Sequence, residues 1–227
     1  ADDICEAAGE LGVDIIGGHT EVTDAVNWIV ISSTVIGCPI DRMIPTGGAS
    51  AGDKLIMTKT AGIEGTLIIA HDYKDRLEAI LKPEDWETLE EMKRALSVIP
   101  EGCLAAEAGA SAMHDATEGG VLGAAYEMAQ ASGLGVKIKL EDIPLCGLTA
   151  RICAYLDINP YRLIASGCML IASKNEKRLI AALEKEGIKA AVIGEFTPDG
   201  RMLIQKDGHT EKLDPPDRDE LYKLKEK

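Results

Sequence analysis

The sequence predicts a mixed α/β chain of the α+β kind, in two unequal pieces. Three observations carry this expectation. Strand-like runs rich in β-branched residues alternate with helix-periodic runs along the whole chain. The last two strand signals are joined by the Asp207-Gly208 turn, which gives that end an antiparallel character. The stretch PTGGASAGD, Pro45 to Asp53, has loop composition and marks the boundary.

The elements follow in order. ADDICEAAGELG opens as a helix, with Asp2 or Asp3 as cap and Ile4, Ala7, Ala8 and Leu11 at helical spacing. Val13 to Ile16 reads as a short buried strand ending at Gly17-Gly18. AVNWIVISSTVIGCP reads as a long strand. Val26, Trp28, Val30, Ser32 and Thr34 lie on one face, and Asn27, Ile29, Ile31, Ser33 and Val35 on the other. A strand apolar on both sides needs cover on both, from its own domain or a second subunit.

After the boundary, KLIMTK is a strand, GIEGTLIIAHDY a glycine-entered helix, and KPEDWETLEEMKRALSV contains a helix started by Pro83. MHDATEGGVLGAAYEMA supplies a helix, GVKIKLEDIP a strand and LTARICAYL a helix. YRLIASGCMLIAS reads as a strand interrupted by Gly167. NEKRLIAALEKEG is an amphipathic helix with Gly187 past its end. AAVIGEF and RMLIQKDGHTEKL finish as strands. The tail, DPPDRDELYKLKEK, is charged and reads as frayed. The expected division is residues 1–45, 46–213 and a tail over 214–227.

Composition narrows the function. With 227 residues, 46% apolar and 27% charged, the chain can bury a real core. A formal charge of -14 argues against general nucleic-acid binding, which needs clustered Lys and Arg. It leaves nucleotide binding open, because backbone amides and a metal ion neutralise phosphate locally. No apolar run approaches the ~20 residues of a membrane span. Six cysteines without a CxxC pair point to a reducing, cytoplasmic compartment.

Two motifs carry chemistry. GGHTE, Gly17 to Glu21, follows an apolar strand, and its glycines allow close approach to a ligand beside a base, a hydroxyl and a carboxylate. The tetrapeptide GHTE recurs at Gly208 to Glu211 in a polar hairpin, where a solvated turn explains it. In HDATEGG, Asp115 or Thr117 can cap the following helix, and Glu118 suits its positive end. Gly119, Gly120 and Gly123 each weaken a helix by up to about 1 kcal/mol relative to Ala, so they call for a closely approaching backbone or ligand. Val121, Leu122, Ala125, Met128 and Ala129 form the buried stripe.

Other candidates read as structure. His71-Asp72 has no second His at ligand spacing, and Ser166 to Cys168 sits in a strand without a glycine elbow. No phosphate-loop lysine or dinucleotide fingerprint occurs.

DIIGGHTEVT, GDKLIMTKTAGIEGT, HDATEGGVLGAAYEMA and PYRLIASGCMLIA, in this order, resemble the aminoimidazole-ribotide (AIR) synthase superfamily. That group includes selenophosphate synthetase, thiamine-monophosphate kinase and the hydrogenase-maturation protein that dehydrates a carbamoylated thiol; the last is the closest likeness. The resemblance implies a two-lobed, PurM-like fold. Its N-terminal ATP-binding lobe dimerises through a shared barrel, and an α+β C-terminal lobe folds against it.

It further implies ATP and Mg²⁺ as cofactors, with oxygen activation by phosphorylation or direct phosphoryl transfer. His19 and Asp115 would be catalytic. Gly17, Gly18, Thr20, Gly119 and Gly120 would approach the nucleotide, and Asp115 and Glu21 would hold the metal. The expected partners are a second copy, through the N-terminal lobe, and a small-molecule or protein-thiol substrate. Neither nucleic acid nor membrane is expected.

Two departures qualify the match. The family's N-terminal glycine-rich and acidic stretches precede the GGHTE position, where this sequence has only a helix. Residues 1–45 are therefore expected to be the remainder of an N-terminal lobe, in a fragment inactive alone. The hydrogenase-maturation enzymes end in a reactive cysteine, whereas this sequence ends in DELYKLKEK. Thiol-carbamoyl dehydration fits less well than another substrate, and a regulatory or assembly module without catalysis is the competing expectation.

Overall fold

The computed structural model describes residues 2–39 and 43–225. The chain divides into two units, Ala1–Asp41 and Arg42–Lys227.

In the first unit, α1 spans Asp2–Glu10, with Asp2 and Asp3 in the first turn where the helix dipole favours carboxylates. Residues 11–39 are turns and unpaired chain. The strands expected at Val13–Ile16 and around Trp28 do not form here. A strand is a pairing state, and the described residues of this unit supply no partner ladder. Its apolar side chains stand in solvent, Trp28 at 85% exposure and Ile29 at 91%. Contiguous apolar surface of this kind is what proteins ordinarily cover.

The second unit holds a seven-stranded sheet. Its elements run β1 (Lys54–Thr58), α2 (Ile63–Asp72), α3 (Lys74–Leu77), α4 (Asp85–Arg94), α5 (Ile99–Ala108) and β2 (Ala112–Asp115). They continue with α6 (Gly120–Ala131), β3 (Gly135–Lys139), α7 (Gly147–Leu156), β4 (Met169–Ser173) and α8 (Glu176–Lys185). Last come β5 (Ala190–Thr197), β6 (Arg201–Ile204), β7 (Thr210–Lys212) and a 3₁₀ segment, Glu220–Lys225. The sheet order is β2-β4-β1-β5-β3-β6-β7. Every pairing is antiparallel except β3 with β6.

Strand alternation sorts the core. Leu55, Met57, Leu170 and Ala172 join Val121, Leu122, Ala125 and Met128 of α6 on one face. Ile56, Met169 and Ile171 turn to the other face, against Ala105 of α5 and Leu179 and Leu183 of α8. A bulge in β5 moves the partner of Leu55 to Gly194 and that of Ile56 to Val192. Ile193, the extra residue, joins Phe196 in the α6-side core. A third cluster packs α2, α4 and α7 through Leu67, Leu89 and Ile152.

Three local readings change. Helix α5 had not been assigned, although Pro100 near its start and Gly109 past its end at φ 85° are helix punctuation. The strand in YRLIASGCMLIAS is confined to β4, because Gly167 sits at φ 101° and the Cys168 amide turns back to the Ala165 carbonyl. The tail is not frayed: Asp219, Glu220 and Leu224 are each buried. Its apolar side chains repeat at helical spacing and dock beside α2 and α7.

Lys59, just past β1, adopts φ 55°. Its ammonium donates to the carbonyls of Ala95 and Ser97, both at 2.8 Å, tying the α4–α5 connection to the end of an interior strand of the sheet.

Candidate functional site

Strand β2, at the sheet edge, places His114 opposite Leu170 and Asp115 opposite Met169. His114 shares its face with Ala112, which packs in the α6-side core. Its Nε2 lies 2.9 Å from Oε2 of Glu127, two turns into α6. An ionised carboxylate can only accept, so Nε2 carries the proton and the ring orientation is fixed. Nδ1 then faces Asp115, whose Oδ1 is 3.9 Å away. The Asp115 side chain is 57% exposed. The group available to a ligand is thus a solvent-facing carboxylate beside an oriented imidazole.

The glycines that follow answer to the protein itself. Gly119 and Gly120 hold φ values of 78° and 62°. A Cβ on Gly120 would lie 2.7 Å from the carbonyl oxygens of both Tyr161 and Leu163, which no side chain tolerates. The amides at the mouth of α6 are also engaged. Gly119 donates to Oδ2 of Asp219 at 2.8 Å, Gly120 to the Thr117 carbonyl at 3.0 Å and Leu122 to the Tyr161 carbonyl at 3.1 Å. A phosphate at Gly119 would have to displace the Asp219 carboxylate.

Asp219 is a partner that sequence reasoning missed. Besides Gly119 it accepts from the Leu221 amide at 2.9 Å and from the Ile164 amide. Burial pushes its pKa up, the three amides pull it down, and the neighbouring Glu118 charge raises it; the net direction is upward. Tyr222, from the same segment, donates its hydroxyl to Oε1 of Glu118 at 3.0 Å, and that bond lifts the phenol above its ordinary pKa. A carboxylate inside a charged tail looks solvated in sequence. The only available signals were Pro215-Pro216 ahead of it and the apolar Leu221 and Leu224 after it. Glu127 was missed for a different reason: it lies thirteen residues from His114, and only the β2–α6 packing joins them.

The first motif lies in the other unit. Gly17, Gly18, His19, Thr20 and Glu21 are exposed, in chain without helix or strand. A Cβ on Gly17 or Gly18 would meet nothing within 4 Å, and His19 Nε2 is 3.9 Å from Glu21 Oε2. The second GHTE copy is a surface hairpin, with Gln205 Nε2 donating to Glu211 Oε1 at 2.6 Å. His71 stacks edge-on against Trp86, ring centroids 5.9 Å apart, as a structural residue. Cys168 is fully buried and its thiol is pushed up to about 12, which removes it as a nucleophile. Among the described residues no three His, Cys, Asp or Glu side chains cluster to hold a metal, and no helix is long and apolar enough to cross a membrane.

The family model of the AIR synthase related protein, C-terminal domain, matches residues 50–206. The chain belongs to this family. Among curated relatives, carbamoyl dehydratase HypE of Cupriavidus necator is 26% identical over 206 residues, covering 88% of this chain and 56% of its own. Selenide, water dikinase of Methanocaldococcus jannaschii is 27% identical over 212 residues, covering 85% and 59%. Among solved structures, the hydrogenase maturation protein HypE of E. coli superposes with a TM-score of 0.66 at 25% identity, over 80% of this chain and 55% of that one. The chain spans little more than half the length of these relatives.

The mixed α/β, AIR-synthase-like fold expected from the sequence is the one observed. The family match contains the β2–α6 motif, whereas GGHTE precedes it and Asp219 and Tyr222 follow it.

Proposed function

We propose that this chain is part of an ATP-dependent, Mg²⁺-assisted enzyme of the AIR synthase-related family. The reaction is phosphoryl transfer to a small substrate, or an ATP-driven dehydration or cyclisation. The observation that carries the reading is the solvent-facing Asp115 carboxylate beside the His114–Glu127 pair, within a matched family domain. Two relatives bear names of different reactions, a dehydration and a double phosphorylation. Transfer of a phosphoryl group is named by the second and is one route to the first, so the family supports the chemistry class and leaves the acceptor open.

In this reading Asp115 contributes one carboxylate to Mg²⁺. The fit is reasonable, because Mg²⁺ keeps several waters and takes one or two carboxylates together with phosphate oxygens. When bound, the ion neutralises charge that develops on the transferring group. His114, oriented by Glu127, holds a proton at Nε2 and keeps the face of Asp115 polar. His19 and Glu21 are the proposed catalytic and metal groups of the first motif, with Gly17, Gly18 and Thr20 lining the nucleotide. Gly119 and Gly120 shape the mouth of α6. We further propose a homodimer that covers the exposed apolar segment around Trp28, and a cytoplasmic location.

The test is binding and turnover with the full-length protein. ATP with Mg²⁺ is expected to raise its Tm, and Asp115→Asn is expected to abolish the shift while the protein stays folded. No nucleotide-induced shift in the unsubstituted protein would sink the proposal. The engagement of the Gly119 amide by Asp219 favours a second reading, a regulatory or assembly module that keeps the fold without catalysis. Measurable ATP turnover eliminates that alternative.

A further inference from the structure

We infer that residues 214–225 act as a strap, in which Asp219 and Tyr222 are positioning residues for the Asp115–Gly119 loop. The inference deepens the proposed function and rests on it where Asp115 is taken as a ligand.

The argument begins with the loop. Four residues, 116–119, join β2 to α6. The Asp115 carboxylate is largely in solvent, so the backbone around it must set its position. One end of the loop is fixed by the sheet, where the buried Ala116 donates to the Cys168 carbonyl at 3.0 Å. At the other end Gly119 is the N-cap of α6, and glycine has no side chain with which to cap. A local Ser, Thr, Asn or Asp usually supplies that acceptor. Here the Leu122 amide in the first turn goes to the Tyr161 carbonyl, and the amide of the cap residue Gly119 itself goes to Asp219, one hundred residues later.

Three more contacts make this a fitted arrangement. The Tyr222 hydroxyl holds Glu118, the residue before the cap. Pro216 covers the two small residues at the helix mouth; a Cβ on Gly119 or Gly123 would lie 3.1 or 3.3 Å from the Pro216 ring. The strap is anchored elsewhere too, by the Glu220 carboxylate accepting from the Asn159 amide at 3.1 Å and by Leu224 in the core. The strap therefore grips the loop at its cap and at Glu118 while standing on a separate base. Because the amides of Gly119, Gly120 and Leu122 are already taken, by Asp219 and by the Thr117 and Tyr161 carbonyls, Asp115 is the feature left for a ligand, which favours a cation over a bare phosphate at this point.

The experiment uses the full-length protein with Asp219→Ala, Asp219→Asn and Tyr222→Phe, and with Leu183→Ala, in the core on the other face of the sheet, as a stability control. Two quantities are read: amide hydrogen exchange over 116–123, and the Mg²⁺ concentration at half-saturation of ATP binding. Exchange at Gly119 is expected to rise at least about tenfold in Asp219→Ala. Mg²⁺ half-saturation is expected to rise about tenfold in the Asp219 variants and less in Tyr222→Phe, the scale typical of losing a group that orients a metal ligand. Leu183→Ala is expected to lower Tm and leave the half-saturation unchanged.

Unchanged Gly119 exchange in both Asp219 variants overturns the inference, whatever ATP does. So does a half-saturation within twofold of the parent when Asp115→Asn abolishes binding. If the parent protein binds no ATP while Asp219→Ala still frees the Gly119 amide, the enzymatic reading fails and the strap–loop coupling stands. Should Asp219→Ala not fold, Asp219→Asn and Tyr222→Phe decide the matter by the same two readouts.

Discussion

The Lys59 ammonium lies 2.6 Å from Oε1 of Glu101, a carboxylate only 1% exposed. The pair links the end of β1 to the first turn of α5, and Lys59 holds it from a left-handed backbone. Removing one partner would leave a buried charge uncompensated, which costs about 3–5 kcal/mol. Lys59→Met is accordingly expected to lower urea stability by about that amount. Lys59→Met with Glu101→Leu is expected to recover part of the loss, because the Ala95 and Ser97 carbonyls still lose their donor. A double variant no better than the single would show that packing and the two carbonyl hydrogen bonds, not the buried charge, carry the effect.

Gly120 and Gly187 share a positive φ but not their surroundings. A Cβ on Gly187 meets nothing within 4 Å, so Gly187→Ala is expected to cost only the left-handed strain, about 1 kcal/mol. Gly120→Ala adds a clash with two carbonyl oxygens and is expected to cost at least about 2 kcal/mol more. Chemical denaturation of the two variants side by side measures the difference.

Alkaline pH should loosen the strap. The folded pKa of Tyr222 lies above its ordinary value because the protonated hydroxyl donates to Glu118. The stabilisation is therefore fully present below a pH of about 10 and is lost as pH rises through the folded pKa. The Tm gap between the parent protein and Tyr222→Phe is expected to be constant at neutral pH and to shrink above that point. A gap that persists undiminished at strongly alkaline pH would contradict the assignment.

Thiol chemistry should separate by burial. Cys153 and Cys168 are both pushed up to about 12, so at pH 8 only roughly one in ten thousand is thiolate. Cys5, Cys38 and Cys103 are exposed. Iodoacetamide followed by peptide mass spectrometry is expected to mark the exposed three in the folded protein. Cys153 and Cys168 are expected to label only after denaturation.

Much of the second unit was legible because its signals are local. KLIMT, NEKRLIAALEKEG and the Asp207-Gly208 hairpin each carry their own periodicity or turn chemistry, and each formed as expected. Helix α5 was obscured because its buried face is largely alanine, which gives little contrast. The strands around Ile16 and Trp28 were over-read, since β-branched composition states a preference while a ladder requires a neighbour. At the site, His114, Asp115 and the strained glycines could be singled out by type and spacing. Their partners Glu127, Asp219 and Tyr222 could not, because each is brought in by tertiary packing over 13 to 104 residues.

The cap on α6 also sets a timetable. During synthesis from the N-terminus, Gly119 emerges long before the acceptor it needs. At roughly 5–20 residues per second, the hundred-residue gap leaves the Gly119 amide without Asp219 for about 5–20 s. Through that interval the Asp115 loop lacks the contact that fixes its Gly119 end, so that end is expected to order only after Asp219 has been made.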